Sequence, residues 1–417
     1  VTETKASDLF KVDNHLEALR GFAAVFVVIQ HIITEKLDGG YHPNFLNAFV
    51  PPGNLCVLIF FTLSGYVIGI SNKQDLTSDT IATYAKKRFV RIYPIYFVSI
   101  ILALIVAKGN YSLGVIVSNL FLLQDLVTPV IWENSPVWSL HYEIVYYLIF
   151  IPISYYRINP FFVLALSIAL SFINYFLYPT LSAPMVSTYL NGLAFWVVGL
   201  IIAKRFTLKE NQVKWSLLLS NIFLLLSMRT LHITATIFNN VSKHLFKHYL
   251  VFSGDIYWAK TKVELSDLLF IPYCLMFIAN FSNINFKFKR PLFIFLQILP
   301  LLSIYTVVTN LDESNKFEAI ISICAYVISI ILFVLDFTQL NNLSQKIMEG
   351  AKEIGSISYG LYILHFPVLW FFSQQTFFSG TLYTFIVRLL LFAVLVCGIS
   401  YVLEKKFQPW IKRVLLK

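Results

Sequence analysis

Apolar residues in this 417-residue chain gather into long runs divided by short polar segments. The runs fall at roughly 16–35, 53–71, 89–107, 137–156, 160–178, 187–203, 215–236, 265–282, 291–309, 317–337, 356–376 and 381–403. Each is close to the ~20 residues that a helix needs to cross the hydrocarbon core of a bilayer. The pattern predicts an all-α fold: a polytopic transmembrane helix bundle of about 10–12 spans with no soluble domain. A shorter run, 112–124, ends in Gln124 and Asp125 and reads as a re-entrant or interfacial piece.

Charge placement tests that count. With the N-terminus inside and 112–124 not crossing, most of the 32 lysines and arginines fall in inner segments. Outer segments keep Lys36, Lys108, Lys243, Lys247, Lys260, Lys262 and Lys316. A crossing at 112–124 would invert every later segment and spoil this bias. Twelve spans with both termini cytoplasmic fit best. The expected organisation is a cytoplasmic segment over 1–15, a transmembrane domain over 16–403 and a basic cytoplasmic tail over 404–417.

Composition agrees: 58% of residues are hydrophobic and 13% charged, and the mean hydropathy is +0.72. A soluble protein of this size has no interior large enough for so much apolar surface. The net charge of +10 follows membrane topology, because the bases sit between apolar runs, and so nucleic acid is not an expected partner. Cys56, Cys274, Cys324 and Cys397 all lie within apolar runs, with neither CxxC nor Cys/His clustering, so no disulfide framework or metal site is indicated. The polar first fourteen residues predict no cleavable signal peptide. The longest outer loop, about 237–264, is polar and aromatic, with His244, His248, Tyr249, Asp255 and Tyr257.

Ionisable residues inside spans are costly and mark pathways or reaction sites. In the first span, LEALRGFAAVFVVIQHIITE, one helical face carries Glu17, Arg20, Gly21, Ala24, His31 and Glu35. Arg20 and His31 are about 16 Å apart along the axis and only ~20° apart around it. Gly21 and Ala24 leave room for something to approach the backbone. Arg229 and Arg388 are further intramembrane bases, with Asp267, Glu264 or an anionic acceptor as candidate partners.

Five segments in order then carry a resemblance: EALRGFAAVFVVIQH (17–31), FFTLSGYVIG (60–69), KRFVRIYPIY (87–96), PVWSLHYEIVYY (136–147) and ISYGLYILHFPV (357–368). Together they resemble the acyltransferase 3 family of integral-membrane acyltransferases, whose pattern has an Arg, ten intervening residues and then a His, followed by FFxLSGY, RxxRxYP, WSLxxExxFY and SYxxYxxHxP. His141, Tyr142 and Tyr146 depart from its commoner choices. No SGNH-type hydrolase domain follows the last span, which is similar to stand-alone members. The resemblance implies transfer of an acyl group, usually acetyl, from cytoplasmic acyl-CoA to a hydroxyl, mostly on cell-surface glycans or glycolipids. It places the protein in the inner or plasma membrane, with the lipid bilayer, the donor and the acceptor as partners and no permanently bound cofactor.

Topology then assigns roles. Arg20, Arg88 and Arg91 share one depth near the inner face and predict a clamp for the donor phosphates, since guanidinium groups bind them with two parallel hydrogen bonds. His31 lies nearer the outer end and is the expected general base. Glu143, about 10 Å into its span, sits at comparable depth and is expected to meet His31 directly or through water and set its tautomer. Ser358, Tyr362 and His365 share a face, with Tyr359 beside them, and read as lining of the donor passage. His365 is the expected hydrogen-bond donor to the thioester arm. Trp138 and Ser139 mark the acceptor side. Ser64 lacks the GxSxG context of a serine nucleophile and, with Gly65, reads as a point of close approach. A covalent acyl-histidine is the mechanistic variant. The competing reading is a secondary transporter of a small polar or anionic substrate, against which stand the absence of a six-plus-six division and of repeated broken helices.

Overall fold

A computed structural model describes residues 3–35, 37–39, 41–177, 184–205, 214–247, 250, 262–309, 316–335 and 338–416, with side chains from His15 onward. Among them there are helices and two isolated β-bridges. The first half contains α1 (Glu3–Thr34), α2 (Gly53–Ser71), α3 (Ser78–Val106), α4 (Leu113–Leu120), α5 (Trp138–Tyr155), α6 (Pro160–Leu177) and α7 (Pro184–Arg205). The second contains α8 (Trp215–Leu231), α9 (Ile233–Phe246), α10 (Ile271–Phe281), α11 (Lys289–Ile298), α12 (Pro300–Thr309), α13 (Lys316–Val334), α14 (Thr338–Gly355), α15 (Ser358–Ser373), α16 (Leu382–Val402) and α17 (Gln408–Leu415).

The all-α transmembrane expectation holds. Nine described helices are long and apolar enough to cross a membrane, or up to eleven if two bent pairs each count as one. The pairs are α8–α9, bent by 50°, and α14–α15, bent by 70°. His232, at φ 42° and ψ 40°, makes the first break: a left-handed residue ends one helix and starts the next. Twelve full spans are not reached among the described residues, because 265–282 folds as a 3-10 turn (Leu265–Phe270) and the short α10. The 112–124 run yields only the eight-residue α4, too short to cross.

Small residues set the helix crossings. A Cβ on Gly65 would lie 1.8 Å from the Trp196 carbonyl of α7, and one on Gly199 would lie 1.9 Å from the Thr62 carbonyl of α2. The two backbones therefore meet in contact, which no larger residue permits. Gly21 of α1 and Gly355 of α14 form a second reciprocal crossing, with Ala351 O and Glu17 O at 2.0 and 1.8 Å from the added Cβ. Gly21 thus admits a helix. In its most apolar stretch α7 is 78% buried and α6 only 17%, so α7 is central and α6 faces lipid.

Two features depart from the sequence reading. Residues 338–355 counted only as an inner loop with Lys346 and Lys352; they form α14, whose buried stripe is Ser344, Met348, Ala351 and Gly355. Its polar face kept it below the hydropathy of a span, while its helical spacing marks one buried side. The last span also does not stop at 403. It passes through a π-helical turn (Leu403–Phe407) into α17, where Gln408 Nε2 donates to the Val90 carbonyl of α3 at 2.6 Å.

Arg388 is paired with Asp38 rather than with Asp267 or Glu264. Its Nε lies 2.9 Å from Asp38 Oδ1. Its donors go to the Phe372, Gln375, Phe377 and Phe378 carbonyls at 2.5–3.0 Å. Asp38 Oδ2 accepts from Gly380 N and Thr384 Oγ1. The pair ties the α15–α16 turn to the segment after α1. Arg229 is exposed. Of the outer-loop residues, His244 closes α9, and His248, Tyr249, Asp255 and Tyr257 lie outside the described residues.

Candidate functional site

A cavity of about 420 Å³ opens between α1, α2, α3, α5 and α15. Its lining includes Arg20, Arg88, Arg91 and Lys405 as cations, with Glu17 beside them, and Ser64, Ser139, Glu143, Tyr147, Ser358, Tyr359 and Tyr362 as polar groups. The three arginines expected to share one depth therefore do share one space. Arg88 and Arg91 project together because they are three residues apart on a helix.

Each arginine is held differently. Arg20 Nη1 pairs with Glu17 at 2.5 Å, one turn earlier. Arg91 Nη1 lies 2.9 Å from Glu404 Oε2, and its guanidinium is 5.6 Å from the Tyr359 ring centre. Arg88 lies near the rings of Tyr84 and Tyr147, at 5.8 and 6.0 Å. It takes part in none of the ion pairs among the described residues, and its buried Nε has no hydrogen-bond partner. A guanidinium resting on aromatic faces keeps its charge available to an incoming anion.

Further along the cavity, Glu143 Oε1 is 2.5 Å from both Ser64 Oγ and Tyr147 Oη, and the two hydroxyl oxygens are 3.0 Å apart. Tyr147 follows Glu143 by one turn, so both reach the same point. This cluster answers how an acid survives at that depth: two hydroxyl donors solvate it. It also corrects the direct form of the expected Glu143–His31 contact, because Glu143 is turned to α2.

His31, half-buried, instead meets His365. Its Nδ1 lies 3.0 Å from His365 Nε2, and the rings stack at 5.1 Å between centres. Phe366 closes edge-on at 5.0 Å. His365 is fully buried, and its Nδ1 faces the Leu361 carbonyl at 3.2 Å. Neither histidine lines the cavity, so His365 stands apart from Ser358, Tyr359 and Tyr362, which do. Phe60 and Tyr362 both line the cavity, with rings 5.6 Å apart, and Tyr362 is 6.1 Å from the His365 ring. The Tyr362 hydroxyl donates to the Pro136 carbonyl at 3.0 Å and lies 2.7 Å from Ser139 Oγ. Of the stripe on α15, Ser358 and Tyr362 face the cavity while His365 turns to α1. Tyr359 lines the cavity and donates to the Ile92 carbonyl at 2.8 Å. Trp138 stays outside it, packed edge-on against Phe61 and Tyr142 at 6.3 and 5.5 Å, with Lys262 Nζ 6.0 Å from its ring.

Sequence reasoning missed Glu404, Lys405 and Tyr147. Glu404 is a single acid before a run of bases at the end of an apolar segment, and that isolation was the available signal. At the opposite end, burial pushes the Asp125 carboxyl up to about 6 against the pull of Lys262.

The fold and the cavity define a membrane-embedded helical protein with a permanently cationic, aromatic-backed chamber that holds a carboxylate and hydroxyls, and with a histidine pair outside its lining. A family model described as an acyltransferase domain, that of the acyltransferase 3 family, matches residues 13–405, and the chain belongs to this family. It is similar to the acyltransferase MdmB of Streptomyces mycarofaciens, 29% identical over 147 residues that cover 32% of this chain and 37% of that protein. It is also similar to protein 2 in the picA locus of Rhizobium radiobacter, 25% identical over 155 residues that cover 31% of this chain and 76% of that protein. The chain thus spans little more than a third of the first relative's length. No solved structure matches.

Proposed function

We propose that this protein moves an acyl group, with acetyl as the expected case, from acyl-CoA to a hydroxyl of a carbohydrate or glycolipid acceptor. The observation that carries the reading is that Arg20, Arg88 and Arg91 line one cavity with Glu143, Ser64 and Ser139. A nucleotide thioester is anionic at one end and thin and amphipathic along its arm. A chamber with guanidinium groups at its mouth and hydroxyls and aromatic rings beyond suits both parts. The excess of bases on that side supports orienting it toward the cytoplasm of a cell membrane.

In this scheme the donor phosphates meet the arginines and the pantetheine arm runs past Ser358 and Tyr359. The Phe60–Tyr362 wall turns aside to admit the thioester to His31. The acceptor hydroxyl comes from the opposite side and gives its proton to His31 as its oxygen attacks the thioester carbon. The carbon–sulfur bond breaks and the CoA thiolate leaves. The Ser139 and Tyr362 hydroxyls, bonded in the resting protein to each other and to the Pro136 carbonyl, are released as Tyr362 moves and then donate to the oxyanion.

The test is acyl transfer from radiolabelled acetyl-CoA by membranes containing the protein, with mass spectrometry of surface glycans and lipids for a shift of one acyl group. His31→Ala is expected to lower transfer by at least about 100-fold, the usual scale of general-base catalysis. Full transfer by that variant would end the His31 assignment. Absence of any acylated glycan or lipid with the intact protein would end the acceptor assignment.

A further inference from the structure

We infer that His365 is the positioning residue that fixes the tautomer of His31, leaving His31 Nε2 bare to receive the acceptor's proton. The inference rests on the general-base reading of His31 and adds the device that sets it.

The argument starts at a backbone carbonyl. A carbonyl oxygen only accepts, so the nitrogen facing Leu361 O, His365 Nδ1 at 3.2 Å, carries a hydrogen. A neutral imidazole has one N–H, so His365 Nε2 is a lone-pair acceptor. His31 Nδ1, 3.0 Å away, must then be the donor. That leaves the neutral His31 ring with its remaining nitrogen, Nε2, unprotonated. The opposite assignment turns the His365 Nδ1 lone pair against the Leu361 oxygen, two acceptors face to face around a ring that is 0% exposed. Burial penalises that arrangement because no water replaces the missing donor.

The backbone supplies the reference because Leu361 precedes His365 by four residues in α15, so the carbonyl and the ring share one face of the helix. The His31 ring, inclined by only 24° to that of His365, and the edge of Phe366 hold the ring's plane. Once His31 takes a proton at Nε2, its Nδ1–H still donates to His365 Nε2, which stabilises the imidazolium. An aspartate usually fills this role beside a catalytic histidine. A neutral imidazole fills it without placing a resting negative charge at membrane depth, where charge is costly. Glu143, the acid that sequence offered for the task, is occupied by Ser64 and Tyr147.

The experiment compares His365→Leu, which removes the acceptor, with His365→Gln, whose side-chain oxygen accepts from His31 Nδ1–H and whose amide donates to Leu361 O. The protein carries eight histidines, so nitrogen-15 histidine spectra in nanodiscs are assigned for His31 by difference with His31→Asn. Intact protein is expected to show His31 protonated at Nδ1. His365→Leu is expected to show mixed tautomers, and His365→Gln the original one. In acetyl-CoA turnover, His365→Leu is expected to lose roughly 100-fold in kcat with little change in the KM for acetyl-CoA, and His365→Gln to recover most of it. Size-exclusion and thermal profiles of both variants report folding, and a merely structural role would not separate Leu from Gln in kcat alone. His31 protonated at Nε2 in the intact protein, or unchanged in His365→Leu, overturns the inference. The spectra need no turnover. A Nδ1-protonated His31 in a protein whose His31→Ala variant keeps full transfer therefore sinks the general-base reading while the tautomer assignment stands.

Discussion

Arg91 offers the sharpest separation between a residue that binds donor and one that holds the fold, because its partner Glu404 is 7% exposed. One oxygen of Glu404 faces Arg91 Nη1 at 2.9 Å, and the other accepts from Gly360 N at 3.1 Å. Arg91→Ala leaves that carboxylate with a single amide donor. Breaking a fully buried ion pair from one side costs about 3–5 kcal/mol. The Arg91 side chain is 43% exposed, so water reaches the pair and the expected loss is nearer ~2 kcal/mol. Glu404→Gln keeps an oxygen for Gly360 N and removes the orphan charge. Arg91→Ala/Glu404→Gln should therefore regain most of the stability that Arg91→Ala loses. Affinity for the proposed donor follows a different order. Glu404→Gln releases Arg91 from competition and should bind acetyl-CoA at least as tightly as the intact protein. Both variants without Arg91 should bind about 10- to 100-fold more weakly, the scale of one charge-assisted phosphate contact. Thermal unfolding of detergent-purified protein and isothermal titration with acetyl-CoA read the two quantities. A double variant as unstable as Arg91→Ala would show that Glu404 is not left uncompensated. Weakened donor binding by Glu404→Gln would show that Arg91 works only as one half of a fixed pair.

Two further predictions concern the opposite end of the bundle. Asp38→Ala should lower unfolding stability by about 3–5 kcal/mol, since it strands Arg388, 4% exposed, among backbone carbonyls; a loss under about 1 kcal/mol in denaturant unfolding would refute that role for the ion pair. Asp125 is 3% exposed, and burial raises its carboxyl from the ordinary 3.8 to about 6. The folded state thus holds its proton more tightly than the unfolded one, so this group's contribution is most favourable at low pH and is lost as pH rises from the unfolded value through about 6. Asp125→Asn should remove that decline and stabilise the protein at neutral pH by up to about 3 kcal/mol; a pH–stability profile unchanged by the substitution would contradict this.

What the sequence made legible is what hydropathy and helical spacing encode. The spans, the short reach of 112–124 and the common space of Arg20, Arg88 and Arg91 follow from depth along an axis, which each rise of 1.5 Å per residue fixes. Depth does not fix which helix a side chain turns toward. Glu143 and His31 read as lying at comparable depth, yet Glu143 faces α2 and His31 faces α15; the Gly21–Gly355 crossing fixes which side of α1 meets α14, and spacing along one helix does not encode that choice of neighbour. The stripe Ser358–Tyr362–His365 shows the same limit within one helix. An i, i+4, i+7 set spans an arc, and its two edges can serve different neighbours: Ser358 and Tyr362 the cavity, His365 the ring of His31. Glu404 was hidden for a third reason. The run of bases around it signals an inner terminus, and nothing local states that the helix continues and packs its one acid against Arg91. The divisions that matter for the proposed chemistry are therefore between faces of helices, and Tyr362, which lines the cavity and lies 6.1 Å from the His365 ring, is where that proposal requires the two to be joined.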